Sequence, residues 1–445
     1  MKEKKQRDSE NKSKRSRSKH RPAWVKLDNT ALLFPAIVNE EMTNVYRIAV
    51  TLKEEIKGEL LQKAQDMVLP QFLAFRMTLK TGVFWYYFEE NDREFPKVVE
   101  ENSYPGTYIN KSRNNHYMFR LTYYKKRINL EVFHALTDGY GGLLFLKEII
   151  YQYLRLAHPQ ELKDEKDRLS PGLVLDMEDS YVKNFRTGIS RKEAYRSKKS
   201  VIIKGERLPK GEIGVIHGYF PLDQLKLAAK SHGVTINQYL VGVFVYSVYK
   251  EYMKCMPGER PVNCCVPVDL RGFYDSHTIK NFFAMVMARF LPEKEDYTLD
   301  EVLQIVAQSL KEQVTKENLD KILSYNVSNE QNIFLRPIPI FIKNFAIRSV
   351  YQYTAGNTTA TVTNIGDVKV REPYDRYIEH FYAMLAMSRG QELKGAIVCF
   401  NKTLIITFTS RFADKSIQKR FFREISADSV EVCVETNEYN EETDE

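Results

Sequence analysis

The stretch Ile128 to Tyr153, INLEVFHALTDGYGGLLFLKEIIYQY, constrains this chain more than any other part of it. A largely apolar run reads as a strand that delivers His134 at its end. Asp138 and Gly139 follow in a short loop, Gly141 and Gly142 come next, and a helix is predicted over Leu143 to Ala157. A strand, a glycine-rich turn and a helix in immediate succession point to layered α/β architecture. The arrangement also sets an imidazole at a strand terminus, where a substrate can reach it. The carboxylate four residues on can bond backbone or a cation and so fix the turn. Histidine, with an ordinary pKa of about 6.5, suits proton abstraction at neutral pH. None of the other seven His residues has Asp at this spacing.

The rest of the chain repeats the alternation. Strands are predicted over Asn44 to Leu52, Phe72 to Leu79, Val83 to Glu89 and His116 to Tyr124. In the second half they are predicted over Gly214 to Phe220, Val262 to Val268, Phe282 to Phe290, Thr359 to Thr363, Ile378 to Met387, Gly395 to Phe400 and Leu404 to Phe408. Helices are predicted over Glu59 to Leu69, Asp223 to Ser231, Ile236 to Met253, Asp300 to Gln313, Ile340 to Tyr351 and Ser416 to Ile425. Gly233 suits a helix C-terminus, and Thr235 with Gln238 three residues later forms a capping-box pattern. Between His158 and Lys210 prolines and glycines interrupt the pattern. The chain therefore divides into a tail (1–22), a first lobe (23–180), a linker (181–210), a second lobe (211–427) and a second tail (428–445). The fold class is mixed α/β, two-layered, with a cleft between two lobes of similar size.

Composition excludes several alternatives. Hydrophobic residues make up 43% and aromatics 12%, too much apolar surface for a disordered chain. Five Cys without a CxxC pair give neither a disulfide framework nor a zinc signature, so a reducing compartment and no metal are expected. The first residues lack the apolar stretch of a secretory signal. The longest uncharged run, Ser231 to Tyr249, is broken by His232, Asn237 and Gln238, and a membrane span needs about 20 apolar residues, so a buried helix is predicted. These readings together suggest a cytoplasmic protein. The net charge of +8 hides a tail of +7 at residues 1–21 and one of −8 at residues 428–445, which leaves a basic body. Val182 to Lys210 carries ten Lys/Arg against two Glu, and Arg196, Lys198, Lys199 and Lys204 form a candidate phosphate-docking patch.

FHALTDGYGG resembles the HxxxDG active-site motif of the chloramphenicol-acetyltransferase-like superfamily, which includes peptide-synthetase condensation domains, plant BAHD acyltransferases, wax ester synthases and alcohol acetyltransferases. DQLKLAAKSHGVTINQYLVGVFVYSVY (Asp223 to Tyr249) is similar to the helix, turn and helix that open the second lobe there. NCCVPVDLRGFY (Asn263 to Tyr274) resembles its strand ending in proline and, soon after, arginine, and TVTNIGDV (Thr361 to Val368) its strand and turn near the lobe interface. The resemblance spans Trp24 to Arg423 and looks closest to the bacterial alcohol acetyltransferases. A single His after Phe133 departs from the two adjacent His usual in condensation domains, and the DFGWG-type motif of plant enzymes is absent.

The resemblance implies two chloramphenicol-acetyltransferase-like lobes with the active site in a tunnel between them. It implies that His134 is the general base, that Asp138 is structural and pairs with Arg271, and that Gly139 allows close approach at the cleft. Thr363, Asn364 and the backbone N–H of Gly139 are candidates for oxyanion or acceptor contacts. No bound cofactor is expected; acyl-CoA would be a cosubstrate, with a small alcohol or amine as acceptor, or an acyl carrier protein would deliver the donor. A noncatalytic member of the fold is the further alternative. A DNA reader built on AAKSHGVTINQYL is disfavoured, since Ile236 to Tyr249 offers no charged side chain for base edges.

Overall fold

A computed structural model of the chain describes residues 23–162, 169–170, 173–186, 199–331 and 336–437, with the side chains at 326 and 329–331 outside the description. The first half contains β1 (Trp24–Lys26), β2 (Val45–Leu52), β3 (Met77–Thr81), β4 (Tyr86–Glu90), β5 (Val99–Glu100), β6 (Phe119–Tyr124) and β7 (Arg127–Phe133). The second contains β8 (Gly214–Pro221), β9 (Val262–Asp269), β10 (Phe283–Phe290), β11 (Ala360–Asp367), β12 (Ile378–Met384), β13 (Leu393–Phe400), β14 (Thr403–Ser410) and β15 (Cys433–Thr436). They form a three-stranded sheet (β1-β4-β3), a five-stranded sheet (β12-β2-β7-β6-β5) and a seven-stranded sheet (β10-β9-β11-β13-β14-β8-β15). The fold is the mixed α/β one expected.

Each large sheet has its own core. In the first lobe the helices Gly58–Val68 and Gly139–Ala157 cover the five-stranded sheet, with Phe75 stacked on Phe145 at 3.9 Å and both packed edge-on to Phe119. In the second lobe Ile236–Glu251 is buried from Tyr239 to Tyr249, which removes it as a reader of nucleic acid. Thr235 and Gln238 cap that helix reciprocally, as the sequence pattern predicts.

Three features differ from the sequence reading. Phe72 to Leu79 does not run extended throughout. Two 3-10 turns, Leu69–Gln71 and Leu73–Arg76, precede β3, because Pro70 opens the first turn and burial turns Phe72 and Phe75 toward Phe145. A helix at Lys316–Gln331, not predicted, buries Leu319, Leu323 and Val327 at four-residue spacing. Residues 428–437 are not a free tail: β15 pairs antiparallel with β8, and Asp428 accepts from Nε2 of His232 at 2.9 Å. Residues 438–445 and the basic tail lie outside the described residues.

The decisive topological feature is β12. It comes from the second half but pairs antiparallel with β2, completing the first lobe's sheet. Its Ile378, Phe381 and Ala383 join the first core, while Tyr382 packs with Ile405 of β14 and Ala49. The second sheet thus buries one face under its own helices and turns the other toward the first lobe.

Candidate active site

The turn after β7 is fixed bond by bond. The His134 N–H donates to Asn44 O at 2.8 Å, and the Leu136 N–H donates to Phe133 O at 2.9 Å. Asp138 caps the helix Gly139–Ala157 by accepting from the N–H groups of Tyr140 and Gly141. The Tyr46 hydroxyl donates to Asp138 O at 2.7 Å. The glycine requirement falls at Gly141 and Gly142 rather than at Gly139. A Cβ at Gly141 would lie 2.1 Å from Thr137 Oγ1 and one at Gly142 would lie 2.6 Å from the Tyr46 hydroxyl, whereas at Gly139 the nearest atom is 3.8 Å away.

Asp138 points away from the imidazole into a cage of donors. Arg271 Nη2 lies 3.1 and 2.9 Å from its two carboxylate oxygens, and the Phe282 N–H donates to Oδ2 at 2.9 Å. The remaining donors of Arg271 reach Thr278 O, Lys280 O and Asp269. Its guanidinium also lies over the Tyr140 ring, 4.3 Å from the centroid. Both members of the pair are buried; removing Arg271 would strand the Asp138 carboxylate at a cost of about 3–5 kcal/mol, whereas removing Asp138 leaves Arg271 its more exposed second partner, Asp269. The pair ties the turn of the first lobe to the segment 271–282 of the second.

His134 is half-buried between aromatic rings. Phe34 stacks on it at 4.6 Å and Tyr46 meets it edge-on at 5.0 Å. Nδ1 lies 3.0 Å from Asn281 Oδ1, and Asn281 Nδ2 donates to Asp28 Oδ2 at 3.1 Å. The other oxygen of Asp28 accepts from the Ala31 N–H at 2.8 Å. An amide oxygen only accepts, so Nδ1 carries the hydrogen and Nε2 keeps its lone pair. Burial pushes the imidazole below its ordinary pKa, and Lys394 nearby adds to this against the opposing effects of Asp138 and Asn281. At neutral pH the ring is a neutral base with Nε2 unengaged by any described residue. Neither Asn281 nor Asp28 was a candidate from sequence, and no local pattern marks them.

The other candidates divide by strand alternation. On β11, Ala360 and Val362 join the second lobe's core, so Thr361, Thr363 and Ile365 face the first lobe. Thr363 is therefore on the side of His134. Asn364 is not: it is exposed, its side chain accepts from the Gly366 N–H at 2.8 Å, and its amide donates to Asn237 at 3.4 Å. A register shift between Asn364 and Gly366 accompanies this, and the side chain is bonded away from the face that carries Thr363. Arg196 and Lys198 lie outside the described residues, and Lys204 is exposed. Lys199 lines an open pocket with Arg260, Arg389 and Tyr353, its ammonium 5.7 Å from the Tyr353 ring centroid. Sequence had not linked Arg260 and Arg389 to Lys199. A second pocket, lined by Pro35, Val45, Tyr117 and Phe133, lies in the first lobe beside the end of β7.

No protein-family model matches the chain, and no curated protein matches it. Solved structures do. Polyketide synthase associated protein 5 from Mycobacterium tuberculosis is 14% identical, with a TM-score of 0.58 over 91% of this chain and 98% of that one. A variant of the starter condensation domain of rhizomide synthetase RzmA, in complex with C8-CoA and Leu-SNAC, is 12% identical, with a TM-score of 0.59 over 91% and 94%. The epimerization domain from the third module of tyrocidine synthetase B is 11% identical, with a TM-score of 0.59 over 93% and 98%. The chain therefore has the two-lobed fold of condensation and epimerization domains, the chloramphenicol-acetyltransferase-like fold. Nothing in these comparisons singles out the alcohol acetyltransferases. Among the described residues no helix is long and apolar enough to cross a membrane.

Proposed function

We propose that the protein is an acyltransferase that moves an acyl group from a thioester, in the first instance acyl-CoA, to the hydroxyl of an alcohol. The observation that carries this reading is His134, an imidazole oriented by Asn281 so that Nε2 is the free base. Nε2 takes the proton of the acceptor O–H as its oxygen attacks the thioester carbonyl. The tetrahedral oxyanion then collapses, the C–S bond breaks, and the leaving sulfur takes the proton from Nε2, returning the ring to its neutral form. Thr363 is the hydroxyl available to the oxyanion from the facing sheet. Asp138 and Arg271 hold the turn and do not meet the reacting atoms. Lys199, with Arg260 and Arg389, receives the phosphates of the donor, since clustered exposed cations attract phosphate.

A condensation-like reaction, with a carrier-bound donor or an amine acceptor, uses the same base. It is supported by the starter condensation domain described with C8-CoA and Leu-SNAC. One panel tests both: purified protein with acetyl-, medium- and long-chain acyl-CoA against alcohols and amines, following release of free thiol. Turnover is expected with at least one alcohol. His134→Ala should lower it about 100- to 10,000-fold without altering the melting curve. Undiminished turnover in that variant overturns the reading, and turnover only with a carrier-bound donor or an amine selects the second.

A further inference from the structure

Lys394 is a buried cation that the proposed chemistry leaves without a task. It sits on β13 at 7% exposure. On that strand Leu393 and Ile397 enter the second lobe's core, whereas Ala396, Val398 and Phe400 pack into the first. Strand alternation therefore turns Lys394 toward the first lobe, in register with Thr361, which is itself in register with Cys265. The same face of the sheet meets His134 through Phe283 on β10, 5.8 Å from ring to ring, and the charge of the ammonium weighs against the imidazolium.

Lysine is seldom buried without a partner. Two other buried lysines show how this chain satisfies one: Lys280 donates to Lys26 O, and Lys415 donates to Phe412 O and Ala413 O. The one acceptor seen for Lys394 is a hydroxyl, Ser388 Oγ at 2.6 Å, in the turn that precedes β13. Among the described residues it makes no ion pair. Burial draws the ammonium down to about 8, which leaves it charged at neutral pH and in want of an anion.

We propose that Lys394 is the specificity residue for a substrate that carries a carboxylate besides the reacting group. This inference rests on the transferase reading and names its substrate class. A carboxylate suits the place: one oxygen accepts from the ammonium, and the Ser388 hydroxyl beside it, which also meets Tyr351, can turn its hydrogen to the other. A phosphate, with more charge, is better met by Lys199, Arg260 and Arg389 at the open pocket.

The carboxylate could belong to the acceptor or to the acyl group, and two arms separate these. With acetyl-CoA as donor, 3-hydroxybutyrate is compared with its methyl ester as acceptor; with a neutral alcohol as acceptor, succinyl-CoA is compared with butyryl-CoA as donor. Each is run on the full chain and on Lys394→Met, an uncharged side chain of similar length that buries without cost, with circular dichroism to check folding. The wild type should favour the carboxylate-bearing member of one pair about 10- to 100-fold in kcat/KM, and in Lys394→Met the ratio of the charged to the neutral member should fall to about one. Equal use of charged and neutral members, or a preference that survives in Lys394→Met, overturns the proposal and leaves the transferase reading standing. Calorimetric titration of the same four compounds provides a readout free of turnover. Carboxylate-selective binding lost in Lys394→Met, without thiol release in any arm, would keep the Lys394 site and overturn the transferase reading. Binding without selectivity would overturn the site.

Discussion

Asn281 Nδ2 donates to Asp28 Oδ2 at 3.1 Å, and this bond decides which end of the Asn281 amide faces His134. With the nitrogen committed to Asp28, the oxygen is left for Nδ1 of the imidazole. The tautomer of the proposed base is thus set by a carboxyl group that does not touch the ring. Groups that hold the partner of a ring nitrogen fix ring orientation in other histidine sites as well.

Asn281→Ala should therefore lower kcat by about 10-fold or more, within the roughly 100- to 10,000-fold ascribed to the base itself, and change KM little. A merely structural loss would instead show as a lower melting temperature at unchanged kcat.

The acidic limb of the kcat/KM profile should fall below pH about 6.5. Burial depresses His134 first, Lys394 further, and the Asn281 bond and Asp138 oppose them. Removing the bond in Asn281→Ala moves the limb to lower pH; removing the charge in Lys394→Met moves it to higher pH. Rate profiles of the three proteins between pH 4.5 and about 8 check both directions.

Asp28 makes stability pH-dependent. Burial, against the bonds from Ala31 and Asn281, pushes its carboxyl up from 3.8 to about 7. A carboxyl raised in the folded state favours folding when protonated. Its favourable contribution is complete below pH 3.8 and is lost as pH rises to about 7. Urea midpoints of Asp28→Asn, compared with the wild type, should show the variant gaining relative stability across that window. Parallel curves would refute the shift.

Arg271→Ala should destabilise the fold by about 3–5 kcal/mol, since it leaves the buried Asp138 uncompensated, and Asp138→Asn by less, since Arg271 keeps Asp269. The double variant should cost less than the two single losses combined. Denaturant titration of the four proteins measures the coupling, and strict additivity would separate the two residues.

Arg260→Ala with Arg389→Ala should raise KM for CoA thioesters several-fold at low salt, an effect that shrinks as salt screens the surface charge. KM values at about 0.02 and 0.5 M salt check it. An unchanged KM at both would return these residues to an ordinary solvated surface.

Much of this architecture was legible because it is local. The run from Ile128 to Tyr153 fixes its own strand, turn and helix through apolar alternation, a capping carboxylate and glycines, so His134 and Asp138 stand out in sequence. Thr235 and Gln238 announce their helix in the same way. The helix Lys316–Gln331 carries a local mark as well, in the four-residue spacing of Leu319, Leu323 and Val327.

What sequence could not supply is non-local. Asn281 lies 147 residues after His134, and Asp28 lies 253 residues before Asn281, so no periodicity relates them. Their meeting depends on β12 leaving the second half to join the first lobe's sheet, and on the packing of the seven-stranded sheet against that lobe. The same packing turned Asn364 away, turned Thr363 inward, and buried Lys394 on the sheet face turned to the other lobe. Sequence by itself determined the turn that carries the imidazole, because backbone propensity and capping act over a few residues. Tertiary structure decided which nitrogen is free and what surrounds it, because burial brings together groups that the chain holds far apart.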